Sequence, residues 1–575
     1  MVKTKRQDII NLIAGVAVII LLNYVASFVF YRFDLTSEKR YTLSEPTKNI
    51  LQNLDDVVFI KVYLEGDFPA GFKRLHDETK EMLDEFRAYS NGNLEYEFIN
   101  PAEDADKKTK EEIYKQLYKK GLRPTDLEVK EENGISNKVI WPGAIITYKG
   151  KERAVNLLKS RIQASPEEIL NSSIESLEFE LAYAIKALQS DKKPSVAFIQ
   201  GHGELDELHT AALNQNLKEF YDTKYITIDG KLSTLTERLI VDSTQKYAVF
   251  PKFDAIIIAK PQEKISNKDK FIIDQYIMHG GKVLWLIDPV YTSMDSLRSA
   301  NYTMAIIQDL NIEDQLFDYG ARVNPNLVQD LQCAPIPVVT GYIGNQPKYN
   351  LMPWIFFPML MPSGSHPIVN NINYVKGEFT STVDTIAKKG IKKSVLLHTS
   401  QYTKLVNAPT RISLALLRIE PNPKQFNKGK QPVAVLLEGQ FNSSFTNRIP
   451  PQLENSKEIN FKDKSTPTKM IVVADGDIAK NDVNRNNQIY NVGFDKYTKQ
   501  QYGNDEFLLN SINYLVDDSG IMNVRSRKLK LRLLNKAKVK EERLKWQLIN
   551  TIIPVILVIL FGIIFNIIRK RKYAS

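Results

Sequence analysis

Two stretches of this chain are apolar almost without a break. Residues 9–30 carry side-chain amides only at Asn11 and Asn23, and residues 548–568 are relieved by Asn550, Pro554 and Asn566. A helix rises about 1.5 Å per residue, so each stretch is long enough to cross a hydrocarbon core about 30 Å thick. Lys3, Lys5 and Arg6 precede the first, and Arg569, Lys570, Arg571 and Lys572 follow the second. The positive-inside rule puts both basic ends in the cytoplasm. Residues 32–545 then form one extracytoplasmic body tethered at both ends. The alternative for the first stretch is a cleaved signal peptide. Its apolar core would run about 7–15 residues before a small-x-small site, and here the run is longer and ends in Phe-Val-Phe-Tyr. Trp546 and Tyr31-Arg32 stand where interfacial anchors belong.

The pattern between the spans predicts alternating strands and helices. Residues 57–64 are β-rich, 72–89 have helical spacing through Leu75, Met82, Leu83 and Phe86, and 93–99 read as a strand. A short helix near 108–119 and a hairpin over 139–148 and 152–157 complete a small α/β domain. It is compatible with a thioredoxin-like arrangement that lacks a CxxC pair. A helix over 166–188 follows, with Ile169, Ile174, Leu177, Leu181, Ile185 and Leu188 on one side. Strands at 195–200, 224–228, 253–259 and 282–287 alternate with helices at 204–221 and 268–279, which predicts a doubly wound parallel sheet. The run 255–259 is continuously apolar, as a buried parallel strand requires. Residues 320–370 are rich in Pro, Gly and Asn and read as long loops, their aromatic residues Trp354, Phe356 and Phe357 and Met359 and Met361 being assigned to core. Strands return at 395–399, 433–438 and 470–474, with a helix at 505–516. The boundaries are then 1–8 cytoplasmic, 9–31 first span, 32–56 linker, 57–160 small α/β domain and 161–190 connecting helix. Next come 191–520 as the larger α/β region with its 320–370 insertion, 521–547 as a basic juxtamembrane segment, 548–568 as the second span and 569–575 as a cytoplasmic tail. The fold class is α/β, with two transmembrane helices flanking a multi-domain extracytoplasmic body.

Candidate chemistry gathers where strands end. Gly201-His202-Gly203-Glu204 follows a strand and precedes a helix, and ligands of doubly wound sheets bind at the carboxyl ends of strands. His202 and Glu204 are a candidate ligand or acid–base pair; the plainer reading is a glycine turn with Glu204 at the positive end of the helix dipole. Asp288 and the pair Asp475 and Asp477 also close strands, and together these carboxylates can line one crevice. Carboxylates equally cap helices and fix turns, so no catalytic role is assigned to them. Gly66 to Gly71 has phosphate-loop spacing, but Phe72 stands where a lysine is needed, and no G-x-S-x-G elbow exists.

Charge and cysteine content narrow the classes. The net charge of +10 owes much to ten Lys or Arg between Arg525 and Lys545. For an extracytoplasmic body this points to anionic lipid headgroups or a partner, not to nucleic acid. Arg527, Lys528, Lys530 and Arg532 are the candidate coupling residues, and the charges of the whole Arg525–Lys545 segment are expected to be solvated. One cysteine, Cys333, excludes an intrachain disulfide and a CxxC redox pair, and six scattered His give no metal motif. No metal and no cofactor is expected.

An ordered set of segments resembles a known family. It comprises Arg32-Phe-Asp-Leu-Thr with Arg40-Tyr-Thr-Leu-Ser, Asp67-Phe-Pro-Ala-Gly-Phe-Lys-Arg-Leu75, Tyr96-Glu-Phe-Ile-Asn-Pro101 and Gly201-His-Gly-Glu204. It continues with Gly280-Gly-Lys-Val-Leu-Trp-Leu-Ile-Asp-Pro289 and Val473-Ala-Asp-Gly-Asp477. With a span at each end, this order resembles the GldG family, the gliding-motility ABC-transporter auxiliary proteins of Bacteroidota. The resemblance implies an inner-membrane, non-enzymatic substrate-binding component with a GIFT-like central domain. It also implies a GldF-like permease subunit and a GldA-like ATPase as partners, with exported cargo or cell-wall glycan as what the body meets. The competing readings are a stand-alone glycan-binding protein or hydrolase, with Glu204, Asp288 and Asp475 as acids, and a scaffold without ligand.

Overall fold

The structure is a computed structural model. It describes residues 10–21, 42–526 and 536–573, apart from 67, 102, 104–105, 132–133, 160–161, 163, 191, 241–246 and 485. Arg527, Lys528, Lys530 and Arg532 lie outside the described residues, as do residues 32–41 of the 32–56 linker. Contacts divide the chain into two units, Met1–Arg527 and Lys528–Ser575.

The first unit opens with a small domain. Helix α1 (Glu45–Gln52) starts at the N-cap Ser44, which accepts from Thr47 N, with Pro46 in its first turn. Strand β1 (Val58–Val62), helix α2 (Ala70–Tyr89) and strand β2 (Leu94–Phe98) form the expected βαβ unit. Helix α3 (Lys107–Lys119) precedes strands β3 (Gly143–Tyr148) and β4 (Lys151–Asn156). The sheet order is β2-β1-β3-β4. Its first pair is parallel and the others antiparallel, the order of a thioredoxin-like sheet. The expected strand over 139–148 breaks at Trp141-Pro142, because proline has no N–H for the ladder. Its first part belongs to a hairpin the pattern did not show, Thr125–Glu131 with Gly134–Ile140. Helix α4 (Pro166–Gln189) begins with a capping box, Ser165 with Glu168. It buries Ile174, Leu177, Leu181 and Ile185 in one core with Val58, Ile60, Leu75 and Phe86, and Ile521, Met522 and Val524 complete that core.

The larger region is built on a ten-stranded sheet, nine strands in line and Val375–Lys376 paired off that line. Strands β5 (Ser195–Gln200), β6 (Asp222–Thr227), β7 (Ala255–Ala259), β8 (Val283–Leu286) and β13 (Thr468–Val473) are parallel neighbours in the order β6-β5-β7-β8-β13. Strands β12 (Pro432–Gly439), β11 (Ile391–His398), β10 (Gln346–Pro362) and β9 (Cys333–Ile343) continue it antiparallel. The expected all-parallel sheet is therefore a mixed one. Alternate residues of each strand bury to opposite faces. Ile257, Leu284 and Ile471 pack with Leu213 and Leu217 of helix α5 (Ala211–Lys218) and Phe507 and Ile512 of helix α7 (Asn504–Val516). Ile256, Ile258 and Trp285 pack on the other face with Ile273, Tyr276 and Ile277 of helix α6 (Asn267–Met278). A strand buried on both faces reads as a continuous apolar run, which is why β7 was legible.

Two expectations fail here. The long loops over 320–370 are mostly strand, including β9 and β10. Their prolines are compatible with this because β9 is the sheet edge and the hairpin is bulged between Cys333 and Pro335 and between Val339 and Gly341. Trp354, Phe356 and Phe357 are buried, as core residues should be. The helix expected over 204–221 begins only at Ala211. Glu204 therefore caps no helix dipole; it turns back to its own loop.

The second unit is helix α8 (Lys536–Tyr573), with Pro554 inside it. It is the one helix among the described residues long and apolar enough to cross a membrane, over Lys538–Arg571. Of the first apolar stretch, Ile10–Leu21 is a short apolar helix, and the remainder lies outside the described residues.

Candidate functional site

The chain runs from β5 outward to β6, then crosses back to β7 on the other side of β5. The loops leaving β5 and β7 diverge there, and such a switch point opens a crevice at the carboxyl ends of the strands. The loop after β5 is Gly201-His202-Gly203-Glu204. Gly203 has φ +71°, and a Cβ there would sit 3.3 Å from Gln262 Cβ and Glu263 Cγ. Glycine is what lets the loop lie against the end of β7, where Gln262 N and Glu263 N donate to the His202 carbonyl at 2.9 and 2.8 Å.

The His202 ring has both nitrogens occupied. Nδ1 lies 3.1 Å from Glu204 Oε1, and Nε2 lies 3.3 Å from Asp269 Oδ2 on α6. Glu204 Oε2 also accepts from His202 N at 2.7 Å. Burial works against an imidazolium here, but the two carboxylates outweigh it, so the His202 pKa is raised. Both ring nitrogens then donate, and the ring latches the loop to the first turn of α6. His202 and Glu204 have no free valence directed at a ligand, and neither lines the crevice.

The aspartates behave differently. Asp288, Asp475 and Asp477 come together at the ends of β8 and β13, around Lys260 from the end of β7. Lys260 Nζ is 3.2 Å from Asp288 Oδ2 and closer to Asp477 Oδ2. Gly476 makes this possible, since a Cβ there would stand 2.6 Å from Lys260 Cβ. Gly476 N donates to Asp288 Oδ1 at 2.6 Å. Asp475 accepts from Glu378 N at 2.9 Å, from Asp477 N at 3.0 Å and from the Thr380 hydroxyl. Burial, then the neighbouring Asp288 and Asp477 charges, pushes the Asp475 carboxyl far up. Burial also raises Asp288, with Lys260 opposing and Asp477 adding. For Lys260 burial lowers the pKa, but the Asp477 and Asp288 charges win and hold it protonated.

Of this cluster Lys260 and Asp477 line a cleft of about 260 Å³, whereas Asp288 and Asp475 are buried and do not line it. Lys376 stands in it, 2.8 Å from Glu378 and over the Phe357 ring. Lys496 and Asp482 pair at 3.5 Å at its edge. The cleft thus presents both signs of charge and aromatic faces, and its acids are already held by internal donors. Among the described residues no His, Cys, Asp or Glu group is arranged to hold a metal ion. The strand-end aspartates were legible in sequence. Lys260 was missed, although a charged residue immediately after the apolar run 255–259 was the available signal. Lys376, Glu378 and Thr380 lie just beyond the stretch read as loop and gave none.

The structure is thus a mixed α/β body with a switch-point cleft and, in the second unit, one helix long and apolar enough to cross a membrane. Residues 193–511, more than half of the chain, match the family described as an ABC-type uncharacterized transport system. The chain belongs to this family of ABC transport auxiliary components, and membership implies association with the other components of such a system. Residues 37–147 match a domain of unknown function. An uncharacterized protein of Borreliella burgdorferi is 23% identical over 99% of both chains. Among solved structures, the N-terminal domain of mmIFT52 matches with a TM-score of 0.31 and 13% identity, over 56% of this chain and 98% of that one. A TM-score that low assigns no fold.

Proposed function

We propose that the chain is a non-enzymatic, membrane-anchored auxiliary subunit of an ABC transporter, whose body holds a ligand or cargo in the cleft beside Lys260. The carrying observation is that carboxylates lining the cleft are committed to cations of the same lining, Asp477 to Lys260, Glu378 to Lys376 and Asp482 to Lys496. A general acid or base needs access to its substrate; a preformed, internally satisfied wall suits binding. In this reading α8 and the apolar stretch at 9–31 both span the inner membrane, both termini are cytoplasmic and the body is periplasmic. A GldF-like permease and a GldA-like ATPase are its partners, and gliding motility is the process served. Arg527, Lys528, Lys530 and Arg532 couple the body to the permease.

The test is a mild-detergent pull-down of the full tagged chain. Recovery of an ATPase and a multi-span permease is expected, with recovery weakened when those four basic residues are neutralised. Recovery of the chain alone would overturn the subunit reading. One observation favours a hydrolase instead: burial raises the Asp288 and Asp475 carboxyls, the direction a general acid needs. If the full chain cleaved cell-wall polysaccharide and Asp288→Asn abolished cleavage while Tm held, the non-enzymatic reading would fall.

A further inference from the structure

A second groove, of about 690 Å³, lies on the antiparallel side of the sheet between β10 and the segment 414–426, and shares no lining residue with the cleft. Its size is within the range of small-ligand pockets, about 300–1,000 Å³. Its walls are apolar: Met352 and Ile355 from β10, Leu416 and Leu417 opposite, and Phe426 at the end. Trp354 also lines it, only 1% exposed, and its indole N–H has no hydrogen-bond partner. Lys404 and Arg418 add positive charge to the lining against the single carboxylate of Glu420. Lys404 is held by Gln425 Oε1 at 3.0 Å. The groove therefore combines an apolar trough with a surplus of cationic groups, which is the complement of an apolar chain bearing an acceptor-only anionic head.

We propose that this groove binds one long-chain fatty acid, its chain against the apolar walls and its carboxylate at Lys404 and Arg418. The volume suits one chain. The inference stands apart from the transporter reading: a failed pull-down leaves it intact, and its failure leaves the pull-down result intact.

Cys333, the chain's only cysteine, lines the same groove and supplies the measurement. Burial pushes its thiol up to about 12, so alkylation is slow and easily followed. The full chain in nanodiscs is treated with N-ethylmaleimide while palmitate is titrated, with palmityl alcohol as a probe that enters the bilayer without a carboxylate. Palmitate is expected to slow alkylation of Cys333 about tenfold, and palmityl alcohol much less. A diazirine-bearing palmitate is expected to crosslink within 329–355 or 414–426. The exposed-side variant Lys404→Ala with Arg418→Ala is expected to weaken protection about tenfold at unchanged Tm. Unaltered alkylation at saturating palmitate would overturn the proposal, as would crosslinks confined to 538–571. Equal protection by the alcohol, or protection only by a copurifying protein, would overturn it too.

Discussion

At Lys260 a single ammonium lies between carboxylates delivered by two other strands. Removing one partner of a buried ion pair leaves uncompensated charge, which typically costs about 3–5 kcal/mol. Lys260→Met is therefore expected to lower stability by about that much at pH 7. The deficit should shrink on acidification, because the Asp288 carboxyl, raised by burial, takes up a proton; a deficit independent of pH in denaturant melts would refute the electrostatic account. Asp505 gives a second pH-dependent term. Burial, with Glu506 and Glu219 adding and the Asn216 donor opposing, raises its carboxyl to about 6. A raised carboxyl pKa means the folded state keeps a proton the unfolded chain releases at about 4, so this contribution is present below pH 4 and is lost as pH rises to 6. Asp505→Asn should raise Tm relative to the parent by a few degrees more at pH 7 than at pH 4. These residue-scale features were partly legible. Asp288, Asp475 and Asp477 announced themselves by closing apolar runs, whereas the occupation of His202 by Asp269 spans 67 residues and leaves no local trace.

Helix α4 shows how far an element is written in its own residues. Its stripe of Ile174, Leu177, Leu181 and Ile185 and its capping box both lie in consecutive sequence, and the helix begins at Pro166 as the pattern implies. Ser165→Ala removes the acceptor for Glu168 N and is expected to cost about 1 kcal/mol, read as a lower denaturant midpoint at unchanged slope. The β9–β10 hairpin is the opposite case. Its strands carry Pro335, Pro337, Pro347, Pro353 and Pro358, which argue locally against a ladder. Edge position and two bulges make them tolerable, and both are properties of the assembled sheet. Helix α5 also began later than its pattern, because the loop from Gly201 to Leu205 is pinned to β7 by Leu205 N donating to Ala259 O at 2.9 Å.

At the scale of the first unit, Arg525 joins regions distant in the chain. It was read as the start of a solvated basic segment, yet it is buried. Its guanidinium donates to the carbonyls of Pro367 and Asn370, each at 3.1 Å, and stacks 4.9 Å from the Phe179 ring of α4. Lys186 on α4 meets Asp517 at 2.6 Å in the same region. Each carbonyl orphaned by Arg525→Ala would cost about 1–3 kcal/mol. The variant is expected to loosen the small domain, seen as faster amide exchange in α1 and α4 with little change in β7 and β8. Uniform exchange across both regions would count against this. No window of sequence shows the tie, since composition alone makes Arg525 one more basic residue among ten.

The packing of Ile521, Met522 and Val524 into the core of the small domain has a consequence for synthesis. The domain's first strand emerges more than 450 residues before the side chains that finish its core. During translation it must wait, with Val58, Ile60 and α4 incompletely covered, until the whole central sheet has been made. Order of assembly is then inverted with respect to order of emergence: the first domain made is the last to be sealed, and α8 follows it at once.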